Sequence, residues 1–148
     1  MAVDRLYHSG ALLLPDGRVL TCGSNPARRV DELRIETYRP PYLYQGPRPG
    51  IVDTPESVTY GEAFDVDTPE APDIDEVVLV RPATATHCLT TDQRLVELAV
   101  EHREDATLTA RIPDEPNVLP PGYYMLFVLS DGVPSEAPFL RVHHSDDG

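Results

Sequence analysis

The longest predicted strand of this chain is Tyr123–Ser130, with the sequence YYMLFVLS. Successive side chains of a strand point to opposite faces of its sheet, and here both faces are apolar. One face carries Tyr123, Met125, Phe127 and Leu129, and the other carries Tyr124, Leu126 and Val128. Apolar residues on both faces are typical of a central strand that is covered on both sides. The sequence therefore predicts that further structure packs against each face of this strand.

Other strand patterns surround this one and are separated by turns that contain Pro, Gly or Asp. They are Ala63–Asp67, Glu76–Arg81, Leu95–Val100, Ala106–Ile112 and Phe139–Val142. The 148 residues include 16 Pro and 9 Gly, which argues against long helices. About seven short strands are typical of an immunoglobulin-like β-sandwich, so we predict an all-β fold. We expect four of these segments to form antiparallel strands of one sandwich: Glu76–Arg81, Leu95–Val100, Ala106–Ile112 and Tyr123–Ser130. Met125 and Phe127 should lie in its core.

The segment that leads into the longest strand supports the same fold. It is Pro120-Pro121-Gly122-Tyr123-Tyr124, which resembles the tyrosine corner of immunoglobulin-like sandwiches. Because Tyr is common in strands, this signal supports the prediction without deciding it.

The first 45 residues differ from the rest in charge. Residues 1–45 hold six Arg and five acidic residues, a net charge of +1, whereas residues 46–148 hold six Arg and twenty acidic residues, a net charge of −14. The change falls in the Pro/Gly-rich segment Gln45–Gly50, which is typical of a linker or sharp turn. We therefore divide the chain into an N-terminal part (1–45), a sandwich (46–143) and an acidic tail (144–148).

The N-terminal part has strand patterns of its own. Pro15-Asp16-Gly17 separates Ala11–Leu14 from Arg18–Thr21 and predicts a β-hairpin. Leu33–Tyr38 alternates apolar and polar residues and predicts a third strand. Three short strands cannot bury a core alone. We expect them to pack on the sandwich or on another copy of the chain.

Composition excludes several classes of function. Twelve basic and 25 acidic residues give a net charge of −13, so the chain repels phosphate backbones and no nucleic-acid partner is expected. No apolar run approaches the roughly 20 residues of a membrane span. The N-terminal sequence MAVDRLYHSG does not have the pattern of a signal peptide. Cys22 and Cys88 are too few for a disulfide scaffold and match no metal-ligand spacing.

Spacing alone identifies no chemical site. His8 and His87 are 79 positions apart, and no pair of His residues has the i, i+2 or i, i+4 spacing of a metal site. His102 follows a strand into a turn and needs no function, and His143-His144 is best interpreted as a frayed terminus. Composition and spacing therefore predict only an acidic β-sandwich with extra strands.

Four blocks of sequence, taken together, resemble one enzyme family. They are RLYHSGALLLPDGRV at Arg5–Val19, YRPPYLY at Tyr38–Tyr44, Ala85-Thr86-His87 with Thr91–Arg94, and LPPGYYMLFV at Leu119–Val128. In this order they resemble the end of the seven-bladed propeller, the junction, the copper-bearing hairpin and the last long strand of the galactose oxidase and glyoxal oxidase family. The resemblance implies that residues 1–45 are a remnant of the last propeller blade. It also implies that residues 46–143 are the early-set, immunoglobulin-like C-terminal domain.

The resemblance implies a copper site. Family members are copper-radical oxidases that convert a primary alcohol or aldehyde hydrate and O₂ into the oxidised product and H₂O₂. Tyr7 matches the axial tyrosine, which binds copper and takes the proton of the substrate hydroxyl, and His8 and His87 match the two imidazole ligands. Adjacent residues of a regular strand point to opposite faces. Tyr7 and His8 can therefore reach one metal only if the backbone bends between them.

The chain also departs from the family. The family's redox cofactor is a second tyrosine cross-linked to a cysteine, and both lie in earlier blades that this sequence does not contain. Neither Cys22 nor Cys88 matches the cross-linked position. Cys88 could ligate copper or form a disulfide, but a buried structural thiol is the better interpretation of this residue. We therefore expect a C-terminal fragment or a trimmed homologue that binds copper weakly or not at all and is inactive alone.

Two functional hypotheses follow. In the first, the chain is part of a copper-radical oxidase whose partners are the remaining propeller blades, with self-association through the propeller remnant as another possibility. In the second, it is a non-catalytic immunoglobulin-like module for carbohydrate binding or partner docking, although it has no Trp to stack on a sugar. The resemblance suggests a secreted or cell-surface parent.

Overall fold

The computed structural model of the chain describes residues 2–25, 27, 29–87 and 89–145. It confirms the all-β prediction. The strands are β1 (Gly10–Leu13), β2 (Val19–Cys22), β3 (Glu36–Tyr38), β4 (Ser57–Thr59), β5 (Ala63–Asp67), β6 (Glu76–Val80), β7 (Thr84–Thr86), β8 (Leu89–Thr91), β9 (Leu95–Glu97), β10 (Ala99–Glu104), β11 (Thr107–Arg111), β12 (Gly122–Ser130), β13 (Val133–Pro134) and β14 (Phe139–His143). The helical segments of the described residues are two 3₁₀ turns, Pro41–Tyr44 and Ala71–Asp73. No described segment forms a helix long and apolar enough to cross a membrane.

The sandwich consists of two sheets with one core between them. The larger sheet has the strand order β4-β14-β12-β6-β9, with β13 paired to β12, and the smaller has the order β10-β11-β5. Only β4 and β14 pair in parallel in the larger sheet. Residues from both sheets meet in one cluster, in which Tyr124, Leu126 and Val128 of β12 are fully buried. The predicted central position of β12 is therefore confirmed.

The tyrosine corner is present. The Tyr124 hydroxyl donates a hydrogen bond of 2.6 Å to the carbonyl oxygen of Pro120. Arg81 donates to the same hydroxyl oxygen at 3.3 Å. The buried phenol therefore has a partner for its proton and for its oxygen, as a buried polar group requires.

The other face of β12 lies outside the sandwich core, which corrects one prediction. Met125 and Phe127 are buried, but they form a second cluster with Val78 of β6 instead of joining the core between the two sheets. Leu13 of β1 packs against this cluster. Because side chains alternate along a strand, Met125 and Phe127 lie on the face of β12 opposite Tyr124, Leu126 and Val128. The two sets of side chains therefore cannot lie in the same core. Met125 and Phe127 instead fill the interface with the N-terminal strands.

The predicted strand Leu95–Val100 is interrupted at Leu98. β9 pairs with β6 in the larger sheet, whereas β10 pairs with β11 in the smaller one. Leu98 is buried, and its N–H donates to the carbonyl oxygen of Val77 at 2.8 Å. The chain therefore crosses from one sheet to the other at this residue, and it stays hydrogen-bonded as it does so.

The N-terminal strands β1-β2-β3 form a separate antiparallel sheet, the N-terminal sheet. The hairpin around Pro15-Asp16-Gly17 is confirmed, with Leu13 opposite Val19. The third strand is shorter than the predicted Leu33–Tyr38 and begins at Glu36, which lies opposite Thr21 near the end of β2. Because β2 ends one residue later, the earlier residues have no strand to pair with there, and Leu33 is 86% exposed.

The N-terminal sheet packs on the sandwich, which is one of the two arrangements expected for it. The Ala137 N–H donates to the carbonyl oxygen of Pro15 at 2.9 Å. The Tyr42 hydroxyl donates to the carbonyl oxygen of Gly17 at 2.6 Å. These bonds hold the tip of the β1–β2 hairpin against the junction and the sandwich.

Candidate metal centre

Tyr7 and His8 lie in a turn directly before β1. His8 has a φ of 61°, in the left-handed region that residues other than Gly seldom adopt. This is the backbone bend that the sequence analysis required. As a result the two rings lie on the same side of the chain, with their centroids 3.9 Å apart and their planes tilted by 30°.

The turn is held by the segment Gly23–Asn25, which follows β2. The Asn25 N–H donates to the carbonyl oxygen of Tyr7 at 2.7 Å, and the Leu6 N–H donates to Ser24 Oγ at 2.8 Å. Gly23 has a φ of +69°, and a Cβ at this position would lie 2.4 Å from the carbonyl oxygen of His8. Only glycine allows the two segments to approach this closely.

His87 comes from the sandwich. It lies in the turn of the two-stranded hairpin β7–β8, with a φ of 51°. The hairpin meets the N-terminal sheet at β1, where a Cβ on Gly10 would lie 3.4 Å from Ala85 Cβ. Since Gly10 has no side chain, β7 can pass close to β1, and His87 comes near the Tyr7–His8 turn.

Three rings from two parts of the fold therefore meet. The His87 ring centroid lies 5.4 Å from that of His8 and 6.4 Å from that of Tyr7. All three residues are exposed, and the Tyr7 side chain is 55% exposed. Two imidazole nitrogens and a phenol oxygen are ligands that Cu(II) accepts. The donor set therefore fits a copper ion, with its outer side open to further ligands.

The ring nitrogens have neighbours that the sequence did not reveal. His8 Nδ1 lies 2.6 Å from Asn25 Oδ1, and His87 Nδ1 lies 2.7 Å from Thr86 Oγ1. In both residues the Nε2 atom is the nitrogen that these contacts leave available. Asn25 was missed because an Asn after a strand is ordinarily interpreted as a turn residue.

Among the described residues, Cys22 and His102 form no metal-holding group with the two imidazoles. Cys22 is a free, half-buried thiol at the end of β2, and Cys88 lies outside the described residues. His102 is exposed, with Nε2 3.4 Å from Glu104. Within the described ranges, no three residues of the types His, Cys, Asp and Glu form a group that could hold a metal ion. The three rings are thus the candidate group that the described residues offer for the predicted copper site, with Tyr7 as the non-imidazole member.

Comparisons with known proteins agree on one family. Residues 48–142 match the model of the family described as galactose oxidase-like, early set domain. The aldehyde oxidase GLOX of Vitis pseudoreticulata is 41% identical over 95% of this chain and 30% of that protein. A galactose oxidase of Gibberella zeae is 37% identical over 95% of this chain and 22% of that protein. The chain thus spans less than a third of the length of these relatives.

A solved structure agrees with the sequence relatives. It is described as a novel fungal alcohol oxidase with catalytic diversity among the AA5 family, in complex with copper. It superposes with a TM-score of 0.85 at 29% identity and covers 96% of this chain and 32% of that one. Because the family match extends over well over half of the sequence, the chain belongs to the galactose oxidase-like early set domain family.

Proposed function

We propose that this chain is the C-terminal part of a copper-radical oxidase that converts a primary alcohol or aldehyde and O₂ into the oxidised product and H₂O₂. Tyr7, His8 and His87 are its contribution to the copper site. The observation that carries the proposal is the meeting of these three rings, which come from positions up to 80 residues apart in the sequence.

Each residue has a role that suits its chemistry. The neutral imidazoles of His8 and His87 each offer one nitrogen lone pair to the metal. Tyr7, as a phenolate, takes the proton from the substrate hydroxyl, because a tyrosine oxygen can both accept and release a proton. Copper, when bound, supplies a one-electron redox couple and orients the substrate oxygen.

The rest of the site belongs to the parent's propeller in this proposal. The three residues are exposed, and in this proposal the remaining blades and the cross-linked tyrosine cover them. The oxidation removes two electrons from the substrate, and copper provides for only one of them. Without the rest of the site, the 148 residues alone bind copper weakly. Without a second redox centre, they produce no H₂O₂.

Copper titration of the 148-residue chain tests the binding. We expect one Cu(II) with nitrogen ligands, detected by electron paramagnetic resonance, in a His144→Ala background that removes a tail imidazole. His87→Ala should weaken binding by more than about 100-fold, since changing even a residue behind a ligand typically costs about 10–100-fold. His102→Ala, an exposed imidazole outside the site, is the matched control. Equal copper affinity of the two variants would contradict the proposal.

A peroxidase-coupled assay tests the inactivity. After copper loading and oxidant treatment, the chain should yield no H₂O₂ from galactose, glyoxal or simple alcohols. Turnover that disappears in His87→Ala would show that these residues build a self-sufficient site, and it would overturn this part of the proposal.

A further inference from the structure

We propose that Asp31 and Asn25 form a hydrogen-bonded relay that holds His8 in the tautomer protonated at Nδ1 and so reserves Nε2 for a metal. The relay is a property of the metal-free chain. Only its consequence for copper depends on the function proposed above. In this role Asn25 and Asp31 are positioning residues, because they act through His8 and do not contact the metal.

The first step is the contact between Asn25 and His8. Asn25 Oδ1 lies 2.6 Å from His8 Nδ1. An amide oxygen only accepts hydrogen bonds, so the proton of this bond belongs to the ring nitrogen. A neutral imidazole carries one N–H, and its other nitrogen then holds a lone pair. This argument requires that the oxygen of the amide, and not its nitrogen, faces the ring.

The second step fixes the orientation of the amide. Asn25 Nδ2 lies 2.6 Å from Asp31 Oδ1 and 3.4 Å from the carbonyl oxygen of Val30. A carboxylate and a carbonyl both only accept, so the group that faces them must donate. Rotating the amide by 180° would place its oxygen against both acceptors with no proton between them. The hydrogen-bond network therefore assigns oxygen and nitrogen of Asn25, as such assignments require.

The third step is the support of the relay by the backbone. The Asn25 N–H donates to the carbonyl oxygen of Tyr7, and the Glu32 N–H donates to the carbonyl oxygen of Ser24 at 2.9 Å. The first bond ties Asn25 to the turn that carries His8, and the second ties the residue after Asp31 to the residue before Asn25. The backbone of Asn25 is therefore held beside the His8 ring, and its side chain extends from this position.

The second imidazole provides a contrast within the same site. His87 Nδ1 faces the hydroxyl of Thr86. A hydroxyl can donate or accept, so this neighbour is compatible with either tautomer. The structure therefore assigns a tautomer to His8 and leaves that of His87 undetermined. His87 becomes an internal reference for the test.

Long-range ¹H–¹⁵N NMR of the metal-free chain tests the proposal, because it distinguishes protonated from unprotonated ring nitrogens. The spectra are recorded near pH 8.5, about two units above the pKa of a free imidazole side chain. In the unmodified chain we expect His8 to be protonated at Nδ1 and unprotonated at Nε2. A His8 protonated at Nε2, or an even mixture, would overturn the proposal.

Variants separate the relay from general stability. Asn25→Leu removes the acceptor, and Asp31→Leu leaves the amide nitrogen only its longer contact, the 3.4 Å to the Val30 carbonyl oxygen, so that the amide rotates more easily. Both should shift the His8 population towards Nε2–H and leave the His87 and His102 signals unchanged. The double variant Asn25→Asp with Asp31→Asn exchanges the charged and neutral members, keeps an acceptor on the ring and should restore Nδ1–H. If a single variant does not fold, the remaining single and double variants still decide the question. An unchanged His8 tautomer in a folded Asn25→Leu or Asp31→Leu chain would overturn the relay.

Copper affinity provides a separate readout. Asn25→Leu should weaken Cu(II) binding by about 10–100-fold, the usual cost of losing the partner behind an imidazole ligand, and the double variant should recover most of it. If the unmodified chain has the Nδ1–H tautomer but binds copper no more tightly than His87→Ala does, the relay stands and the proposed function fails. If it binds copper with His8 protonated at Nε2, the relay fails and the proposed function stands.

Discussion

At the scale of single residues, the rings of the candidate site rest on unusual backbone conformations. His8 and His87 both have positive φ values, 61° and 51°. For a residue with a Cβ this region costs about 1–2 kcal/mol, although His enters it more readily than most. Such conformations persist where neighbouring structure enforces them, and they are concentrated at functional sites. The Gly23–Asn25 segment provides that enforcement for His8.

Gly23→Ala should disrupt the turn that carries Tyr7 and His8. The added Cβ would lie 2.4 Å from the carbonyl oxygen of His8, a backbone atom that cannot move aside cheaply, and Gly23 has a φ of +69°. We expect a loss of about 1–3 kcal/mol in the free energy of unfolding, the usual range for a destabilising substitution. Denaturant unfolding measures it.

Gly50→Ala is the matched control for this prediction. No atom lies within 4 Å of the Cβ that this substitution would add. A glycine replaced at a compatible position tends to stabilise a protein slightly, because the unfolded chain becomes less flexible. If Gly23→Ala were as stable as Gly50→Ala, the close approach between Gly23 and His8 would be wrong.

At the scale of elements, the sequence predicted the positions of strands better than it predicted which strands pair with each other. The alternating pattern of Leu95–Val100 is the same whether the strand stays in one sheet or changes sheets at Leu98. The pattern on β12 likewise predicted two covered faces without saying that the N-terminal sheet covers Met125 and Phe127. Strand periodicity is a local property, whereas the choice of partner depends on residues distant in the sequence. That is why the strands were predicted and this crossing was not.

The candidate site also depends on contacts between residues that are distant in the sequence. His8 and His87 have no spacing that connects them, and only the family resemblance suggested that they act together. Gly10 allows β7 to approach β1, but a glycine at the start of a strand pattern does not reveal which strand it will meet. The contact of Asn25 with His8 depends on the amide reaching a ring 17 positions away in the sequence. These contacts are set by tertiary packing, so they required the structure.

The attachment of the N-terminus to β3 should depend on pH. The Ala2 N–H donates to Glu36 Oε1 at 2.6 Å, and Arg5 Nη2 lies 3.0 Å from Glu36 Oε2. The bond from Ala2 and the interaction with Arg5 together lower the pKa of Glu36 below its ordinary value of 4.5. A lowered folded pKa stabilises the protein above the unfolded value. This contribution is therefore complete above pH 4.5 and is lost as the pH falls below it.

Thermal unfolding of Glu36→Gln between about pH 7 and pH 3 measures this contribution. The variant should unfold at a lower temperature than the unmodified chain at neutral pH, and the difference should shrink as the pH falls below 4.5. Glu97→Gln, which changes an exposed carboxylate on the sandwich strand β9, is the matched control. A difference that stays constant across the whole pH range would contradict the role of the Glu36 charge.

At the scale of the whole molecule, the candidate site depends on how two sheets dock. Tyr7 and His8 precede the N-terminal sheet, whereas His87 belongs to a hairpin of the sandwich. Burial of the apolar side chains around Phe127 favours docking of the N-terminal sheet on the sandwich. Because the hydrophobic effect has no directional preference, this burial does not fix the orientation of the two sheets. Hydrogen bonds at the hairpin tip supply the direction, since they require specific distances and angles.

Arg48 joins the tip of the β1–β2 hairpin to the sandwich, and its removal is our last prediction. Its guanidinium donates to the carbonyl oxygens of Asp16 at 2.9 Å, Pro134 at 2.8 Å and Ser135 at 2.6 Å. Arg48→Ala should lower the free energy of unfolding by about 1.5–3 kcal/mol, the range for a charge-assisted hydrogen bond, because three bonds sharing one side chain are not additive.

The same substitution should move the rings of the candidate site apart, because the hairpin tip would lose one of its links to the sandwich. The nuclear Overhauser effect between Gly10 and the Ala85 methyl group measures the approach of β1 to β7, and it should weaken in Arg48→Ala. Arg141→Ala, which removes an exposed guanidinium from β14, should change neither quantity. If Arg48→Ala kept both the stability and the Gly10–Ala85 contact of this control, the apolar cluster and the remaining hydrogen bonds of the hairpin tip would set the docking. The positions of His8 and His87 would then be independent of Arg48.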